Sequence, residues 1–370
     1  MDRPPAVDFA QAPFLVIWET TQACDLACRH CRASAQPKRH PGELTTEEGE
    51  RLLAETAAMG TPVFILSGGD PVKRPDLCRL IRRGKQLGLR MGTIPAATAA
   101  LTEDLVQQLK DVGLDQMALS LDFPRAELHD AFRGVPGAFA KTMAAVEWAH
   151  RCDLPLQINT TVCGRSAPFL AEMADLVERL GIVFWEVFFL VPVGRGAALG
   201  GLTPRQCEDL FEILYRVQKR SRFIVKVTEA PQYRRYVAQR EAEESERAGT
   251  ERPSAGAMPR LLQRSEGPGH TVGLAPRGVN AGNGFAFVSH TGDVYPSGFL
   301  PLRAGNVRWR WLSEIYRHSG LFCTLRDPNA LRGRCGRCEY RAICGGSRSR
   351  AYALTGSYLA TDPWCAYQPS

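Results

Sequence analysis

Val63-Phe64-Ile65-Leu66-Ser67-Gly68-Gly69-Asp70-Pro71 is a four-residue apolar run that ends abruptly in a turn. A run this short between turn residues reads as a buried strand, and paired glycines ahead of Asp-Pro supply the turn. An amphipathic stretch from Pro75 to Leu87 follows, closed by Gly88, so a helix has its start and stop in place. One strand followed by one helix is half of a parallel-sheet repeat. The fold therefore depends on whether the pattern recurs on both sides.

It does. Upstream, Phe14-Leu15-Val16-Ile17-Trp18 is a first apolar run; its helix begins at Thr45, where Thr45 and Glu48 have capping-box spacing, and stops at Gly60. Downstream, Arg90 to Ile94 precedes a helix from Thr102 through Val112, with Gly113 as stop. Gln116 to Leu121 leads to a helix near 138–151, and Leu156 to Val162 to a helix near 168–180. Val183 to Leu190 is followed by a helix near 203–220. Six strand-then-helix units in about 210 residues imply a parallel sheet covered by helices. A closed eight-unit barrel takes about 250 residues, so six units predict an open barrel or a doubly wound sheet. Both place ligands at the carboxyl ends of the strands.

The pattern breaks after Ser221. Residues 237–282 are rich in Glu, Arg, Gly, Ser and Pro and include the run from Arg240 to Arg247, which reads as a solvated helix and surface loop or as a mobile lid. From Gly284 a compact region follows, with a hairpin around His290 to Tyr295 and a cysteine-rich end. The expected organisation is a large domain over 10–221, a linking region over 222–283 and a small domain over 284–370.

Composition excludes several classes. Hydrophobic residues at 44% and charged residues at 23% are ordinary for a globular protein. The net charge of +7 is mild and no basic block with interleaved aromatics occurs, which argues against nucleic acid. The N-terminus lacks a basic start with an apolar run, and no apolar stretch approaches the roughly 18 residues of a spanning helix. A soluble, cytoplasmic protein without a membrane partner is expected. Twelve cysteines in that setting point to metal binding or redox chemistry rather than disulfides. Seven of them are patterned; Cys78, Cys152, Cys163, Cys207 and Cys323 are scattered and read mostly as small buried hydrophobes.

Cys24, Cys28 and Cys31 form a Cys-x3-Cys-x2-Cys loop just after the first strand. A structural zinc site ordinarily takes four protein ligands, whereas three thiolates on a four-iron cluster leave one iron open. Cys335, Cys338, Cys344 and Cys365 supply four thiolates, and their spacing alone permits a zinc ribbon or a four-iron cluster.

The Cys24–Cys28–Cys31 spacing resembles the signature of the radical S-adenosylmethionine (SAM) superfamily, and other segments match in order. Gly68-Gly69-Asp70-Pro71 resembles the family's Gly-Gly-Glu-Pro motif for the SAM amino group, with Asp70 in place of Glu. Ser120-Leu121-Asp122 resembles Ser-Leu-Asp-Gly, with Phe123 in the glycine position. By resemblance Asn159 and Thr161 reach the SAM ribose or carboxylate, Val191 lies in the segment contacting adenine, and His30 takes the aromatic position before the last cluster cysteine. The C-terminal cysteines resemble a SPASM or twitch extension. Arg348 and Ser297 stand where a full extension often has cysteines, so one auxiliary four-iron cluster is expected. The implied fold is a partial (β/α)6 TIM-like barrel with a small cysteine-rich C-terminal SPASM/twitch domain.

The resemblance implies an enzyme in which a 4Fe-4S cluster on Cys24, Cys28 and Cys31 chelates SAM and one electron yields a 5′-deoxyadenosyl radical. A reductant such as flavodoxin or ferredoxin is then required. The tail is most similar to enzymes of alternative haem and haem d1 biosynthesis, which makes a tetrapyrrole side chain the expected substrate. Glu229, Tyr233, Arg234 and Arg235 are candidates for lining its cavity, and a surface helix start is the competing reading of the same residues. Two other functions fit the same motifs: a peptide-modifying maturase, and a non-catalytic iron–sulfur or zinc scaffold. About 13 residues before the first strand leave little room for a peptide-recognition domain.

Overall fold

A computed structural model of the chain describes residues 7–251, 254–263 and 278–369. All six expected strands form: β1 (Leu15–Glu19), β2 (Val63–Ser67), β3 (Arg90–Thr93), β4 (Gln116–Ser120), β5 (Leu156–Val162) and β6 (Phe184–Phe189). Each pairs in parallel with the next. The helix starts follow the sequence signals. Thr45 caps Thr46–Ala58 in a complete capping box with Glu48, Thr102 caps Glu103–Asp111, and Thr203 forms a capping box with Gln206 at the head of Pro204–Arg220.

Two features depart from expectation. The pattern does not stop at Ser221: Ile224–Thr228 forms β7, parallel to β6, and the helix Gln232–Ala248 follows it. This helix is not merely solvated, since Tyr233, Arg235, Val237, Ala238 and Ala242 are buried. Its acidic run hides a one-sided apolar stripe. The helix Ala126–Arg133 is a further addition after β4. Parts of the stretch read as a surface loop or a mobile lid, 252–253 and 264–277, lie outside the described residues.

The C-terminal region opens with β8 (Phe285–Val288), followed by β9 (Asp293–Tyr295) and β10 (Gly305–Asn306). The β8–β9 hairpin is the expected one. Its first strand lies parallel to β1, so a single ten-stranded sheet runs β10-β9-β8-β1-β2-β3-β4-β5-β6-β7. The order is open; β7 and β10 are its ends.

Strand alternation sorts the side chains. Phe64, Leu66, Met117, Leu119, Ile158, Trp185 and Val187 point to the helices and join one continuous core. Each buried side chain of this size contributes ~1.5–3 kcal/mol. Ile65, Ala118, Ser120, Gln157, Asn159, Thr161, Glu186 and Phe188 face the other way and line a cavity. No helix among the described residues is long and apolar enough to cross a membrane.

One polar contact fixes the C-terminal segment on the sheet. Arg350 and Asp362, both with fully buried side chains, form a salt bridge at 3.0 Å. Arg350 also donates to the backbone oxygens of Leu190, just past β6, and Glu229, just past β7. Asp362 accepts from Gln232 Nε2, Ser347 N and Trp364 N, and the Arg350 guanidinium lies 4.2 Å over the Trp364 ring. Burial alone would raise the Asp362 pKa, but Arg350 and these donors bring it below the usual value. Removing one partner leaves an unpaired buried charge, so Asp362→Ala is expected to destabilise the protein by ~3–5 kcal/mol, read as a lower denaturant midpoint. Replacing both partners with apolar residues of similar volume is expected to cost much less.

Candidate functional site

The cysteine loop leaves β1 at the carboxyl end of the sheet and is clamped on three sides. Gly69 N donates to Thr21 O and Asp70 N to Ala23 O, both at 2.7 Å. Ala27 N and Arg29 N donate to the Arg133 and Phe132 oxygens. Arg195, in the loop after β6, donates its backbone N–H to Cys31 O and its Nε to Cys28 O. The approach is so close that a Cβ at Gly69 would stand 2.4 Å from Ala23 O. One at Gly194, where φ is +54°, would stand 2.4 Å from Arg32 O. Only glycine fits these two positions.

Cys24 and Cys28 are buried, Cys31 is half-buried, and none is in a disulfide. Leu26 N and Ala35 N donate to the sulfurs of Cys24 and Cys31 at 3.4 Å, and Arg133 Nη1 reaches Cys28 Sγ at 3.7 Å. Burial pushes the Cys24 thiol up to about 12, with Asp70 and the other two cysteines adding to the rise; burial also raises Cys28, against Arg133. Thiols in this setting become thiolates only when a positively charged centre joins them, while the N–H groups pointing at sulfur suit the charged form. The donor set thus fits a three-cysteine iron–sulfur cluster.

The cavity of about 430 Å³ brings most of the expected ligand-binding residues together: Cys24, Cys28, Cys31, His30, Gly68, Gly69, Ser120, Asn159, Thr161 and Val191 all line it. His30 stacks on Phe132 at 4.5 Å, burial lowers its pKa to about 4, and its Nδ1 has no protein partner. Pro71, Asp70 and Asp122 are not in the lining. The Asp70 carboxylate, expected to face the SAM ammonium, instead accepts from Val72 N, Ala96 N and Thr98 Oγ1 and fixes the turn after β2. Asp122 accepts from Thr161 N and is salt-bridged to Arg133. Phe123, in the motif's glycine position, packs edge-on against Phe132 and Phe169 in the core. Of the four candidates after β7, Glu229, Tyr233 and Arg234 line the cavity, whereas Arg235 turns away to Glu208.

Several cavity residues escaped sequence reading. Gln116, Gln157, Glu186, Lys226 and Thr228 join the expected Asn159 in a hydrogen-bonded polar floor across β4 to β7. Their signal was present: polar residues at every second position of otherwise apolar strands. Glu229 has a left-handed backbone, φ +58°, and accepts from the hydroxyls of Ser297, Ser347 and Ser349.

Gly346, Ser347 and Arg348, separated from Cys344 by one residue, also line the cavity. The four C-terminal cysteines lie behind this wall and are absent from the lining. Gly346 N donates to Cys344 Sγ at 3.4 Å. Burial raises Cys344 to about 12 with Cys365 and Cys335 contributing, and the Cys338 pKa also responds to Cys335, so the four thiols share one neighbourhood. Of the scattered cysteines, Cys163 and Cys207 are core residues, Cys78 and Cys152 pack against the core, and Cys323 is exposed.

Residues 18–177 match the Radical SAM superfamily. The AdoMet-dependent heme synthase of Methanosarcina barkeri is 39% identical over 363 residues, covering 98% of this chain and 99% of that relative. The chain belongs to the radical SAM superfamily. The pre-heme d1 synthase of Dinoroseobacter shibae is 28% identical, over 98% of this chain and 88% of that protein. The crystal structure of Streptococcus suis SuiB bound to S-adenosylmethionine superposes with a TM-score of 0.69 at 15% identity, covering 96% of this chain and 78% of that one. The last likeness shows a shared fold. As a radical SAM enzyme the protein uses a 4Fe-4S cluster and SAM.

The Asp70 geometry carries a pH signature. Burial raises its pKa from the ordinary 3.8 to about 6, so the folded protein retains a proton that the unfolded chain releases. Stability from this group is full below about pH 4 and is lost as pH rises through about 6. Asp70→Asn cannot ionise and keeps an oxygen for Val72 N and Ala96 N. It is expected to gain on the wild type by up to ~3 kcal/mol between about pH 4 and pH 7, read from denaturation midpoints across that range.

Proposed function

We propose that this radical SAM enzyme acts on a tetrapyrrole and converts propionate side chains to vinyl groups by oxidative decarboxylation. The observation that carries the reading is identity of 39% along 98% of the chain with an AdoMet-dependent heme synthase. The cavity supports it. Arg195, Arg234 and Arg348 line the wall without a carboxylate partner among the described residues, while Lys226 is matched by Glu186. Glu229 offsets one of these charges, and those of Arg234 and Arg348 are shared between the C-terminal cysteines behind the wall and a substrate with several carboxylates in front of it.

In this reading Cys24, Cys28 and Cys31 hold the SAM-binding cluster, and Cys335, Cys338, Cys344 and Cys365 hold an auxiliary four-iron cluster. When bound, cluster and SAM supply one-electron cleavage of the sulfonium to methionine and a 5′-deoxyadenosyl radical, which takes a hydrogen atom from the substrate. The chain's own residues do the placing. Gly68 and Gly69 bring backbone to the SAM amino group, Ser120, Asn159 and Thr161 offer polar atoms to its ribose or carboxylate, and Val191 packs at the adenine. The Asp122–Arg133 pair acts one layer back, holding Thr161 N and reaching Cys28 Sγ. Stacked His30 and Phe132 exclude water beside the cysteine loop. Fixing the side-chain carbon in reach of the radical carries much of the selectivity. Hydrogen removal from the carbon next to the ring, then loss of CO2 and one electron, leaves the vinyl group, so an electron must leave the cavity.

The test is anaerobic reconstitution with counts of iron and sulfide, followed by dithionite-driven turnover with SAM and an iron porphyrin bearing propionates. About eight irons per chain are expected, with 5′-deoxyadenosine release and a product lighter by one CO2 and two hydrogens per propionate. Deoxyadenosine without any change in the porphyrin, but with a modified peptide, would transfer the assignment to peptide maturation. No bound iron at the first cysteine set and no cleavage of SAM would end the enzymatic reading.

A further inference from the structure

The two cysteine sets differ in how charge is arranged around their sulfurs. At the N-terminal set, Arg133 reaches Cys28 Sγ, but the same guanidinium is salt-bridged to buried Asp122, so the pair is neutral overall. Arg195 runs alongside with its donors on the carbonyl oxygens of Cys28 and Ala35 rather than on sulfur. At the C-terminal set, Arg348 Nη2 donates to Cys335 Sγ at 3.6 Å, and its remaining contacts are the backbone oxygens of Gly346, Tyr358 and Ala360. Arg348 is only 5% exposed, yet no carboxylate among the described residues meets it. Arg234, half-buried beside the residue preceding Cys344, also meets no carboxylate among the described residues and donates to the oxygens of Asn280, Val279 and Ile343. Arg235, the third arginine nearby, is matched by Glu208.

A guanidinium as deeply buried as that of Arg348 ordinarily carries an anionic partner, and half-buried Arg234 also stands without one among the described residues. The partner these two lack is the negative charge that a four-thiolate site brings. Such a charge does more than balance the oxidised site: reduction adds one further negative charge, and a fixed cation in a dry setting favours that state. Gly346, Ser347 and Arg348 also face the cavity on their other side, so the same short segment separates substrate from the C-terminal sulfurs.

We infer that Arg348, with Arg234 beside it, raises the reduction potential of the C-terminal cysteine site above that of the N-terminal site, which is the setting that an acceptor for the substrate's electron requires. The inference rests on the proposal that the C-terminal cysteines hold a four-iron cluster. The balance is one electron per propionate: the substrate radical gives it up as the carboxylate departs as CO2 and the carbon–carbon double bond forms, and the C-terminal site is reduced by one. Arg348 is a positioning residue in this account, because it touches the site's sulfur and not the reacting carbon.

The experiment uses the full chain carrying Cys24→Ala, Cys28→Ala and Cys31→Ala, which isolates the C-terminal site, reconstituted anaerobically and titrated potentiometrically with electron paramagnetic resonance as readout. About four irons establish the cluster; none would overturn the cluster proposal and this inference with it. With irons in place, Arg348→Gln is expected to lower the reduced-to-oxidised ratio at fixed poise at least tenfold, ~59 mV for a one-electron couple. Arg348→Lys keeps the charge and is expected to stay much closer to the parent. An unchanged midpoint in fully loaded Arg348→Gln would overturn the inference and leave the cluster standing. Should Arg348→Gln shed its irons, Arg234→Gln decides, with a shift in the same direction expected and an unmoved midpoint overturning the inference.

Discussion

The architecture depends on one buried ion pair. Arg350 and Asp362 sit at zero exposure, and between them they hold the chain just past β6, just past β7, the start of the helix Gln232–Ala248 and the turn leading to Cys365. Such a pair yields little net stability over an apolar replacement, because desolvation offsets most of the attraction. What it supplies is register. A guanidinium with fixed donors and a carboxylate with four acceptor sites have few satisfied arrangements, whereas an apolar plug would slide. The C-terminal cysteines inherit that register through Asp362 and Ser347.

The cysteine loop is positioned by a different device: backbone against backbone. Gly69 and Gly194 remove the side chains that would hold their strands' loops away, and the loop's amides and carbonyls are then taken up by three neighbours. Few side chains are needed, so those that remain, His30, Arg133 and Arg195, are free to shape the surroundings of the sulfurs. The wall between the two cysteine groups belongs to both, since residues 346–348 touch the cavity and the C-terminal site alike.

Much of this was legible in the chain because it rests on local rules. The strand-helix alternation, the Thr45 capping box, the helix starts near Thr102 and Thr203, and the spacing of Cys24, Cys28 and Cys31 are patterns that short-range chemistry writes into sequence. β7 was not legible: Ile224–Thr228 is five residues long, interrupted by Lys226, and its lysine is explained only by Glu186 on the neighbouring strand. The motif carboxylates were read as ligand-facing because motif position says nothing of side-chain direction. Asp70 turns into its own loop, where two backbone amides and a hydroxyl outbid the cavity, and Asp122 is claimed by Arg133. Arg235 and Arg234 are adjacent in sequence, yet helical geometry sends one to Glu208 and the other to the cavity. Such choices are settled by tertiary neighbours that no window of sequence contains.

The parallel pairing of β8 with β1 has a consequence for how the molecule comes into being. β1 delivers the cysteine loop, and its outer edge is covered only by residues 285–288, which lie about 270 positions downstream. During synthesis the strand that leads into the cysteine loop is therefore an open edge until most of the chain has emerged. Contacts that close so distant a loop form late, and an unpaired strand edge invites wrong partners meanwhile. The same gap leaves the cysteine loop approachable from the side that β8 and its following hairpin later cover. The sheet beside the cysteine loop is thus complete only when the last quarter of the polypeptide has arrived.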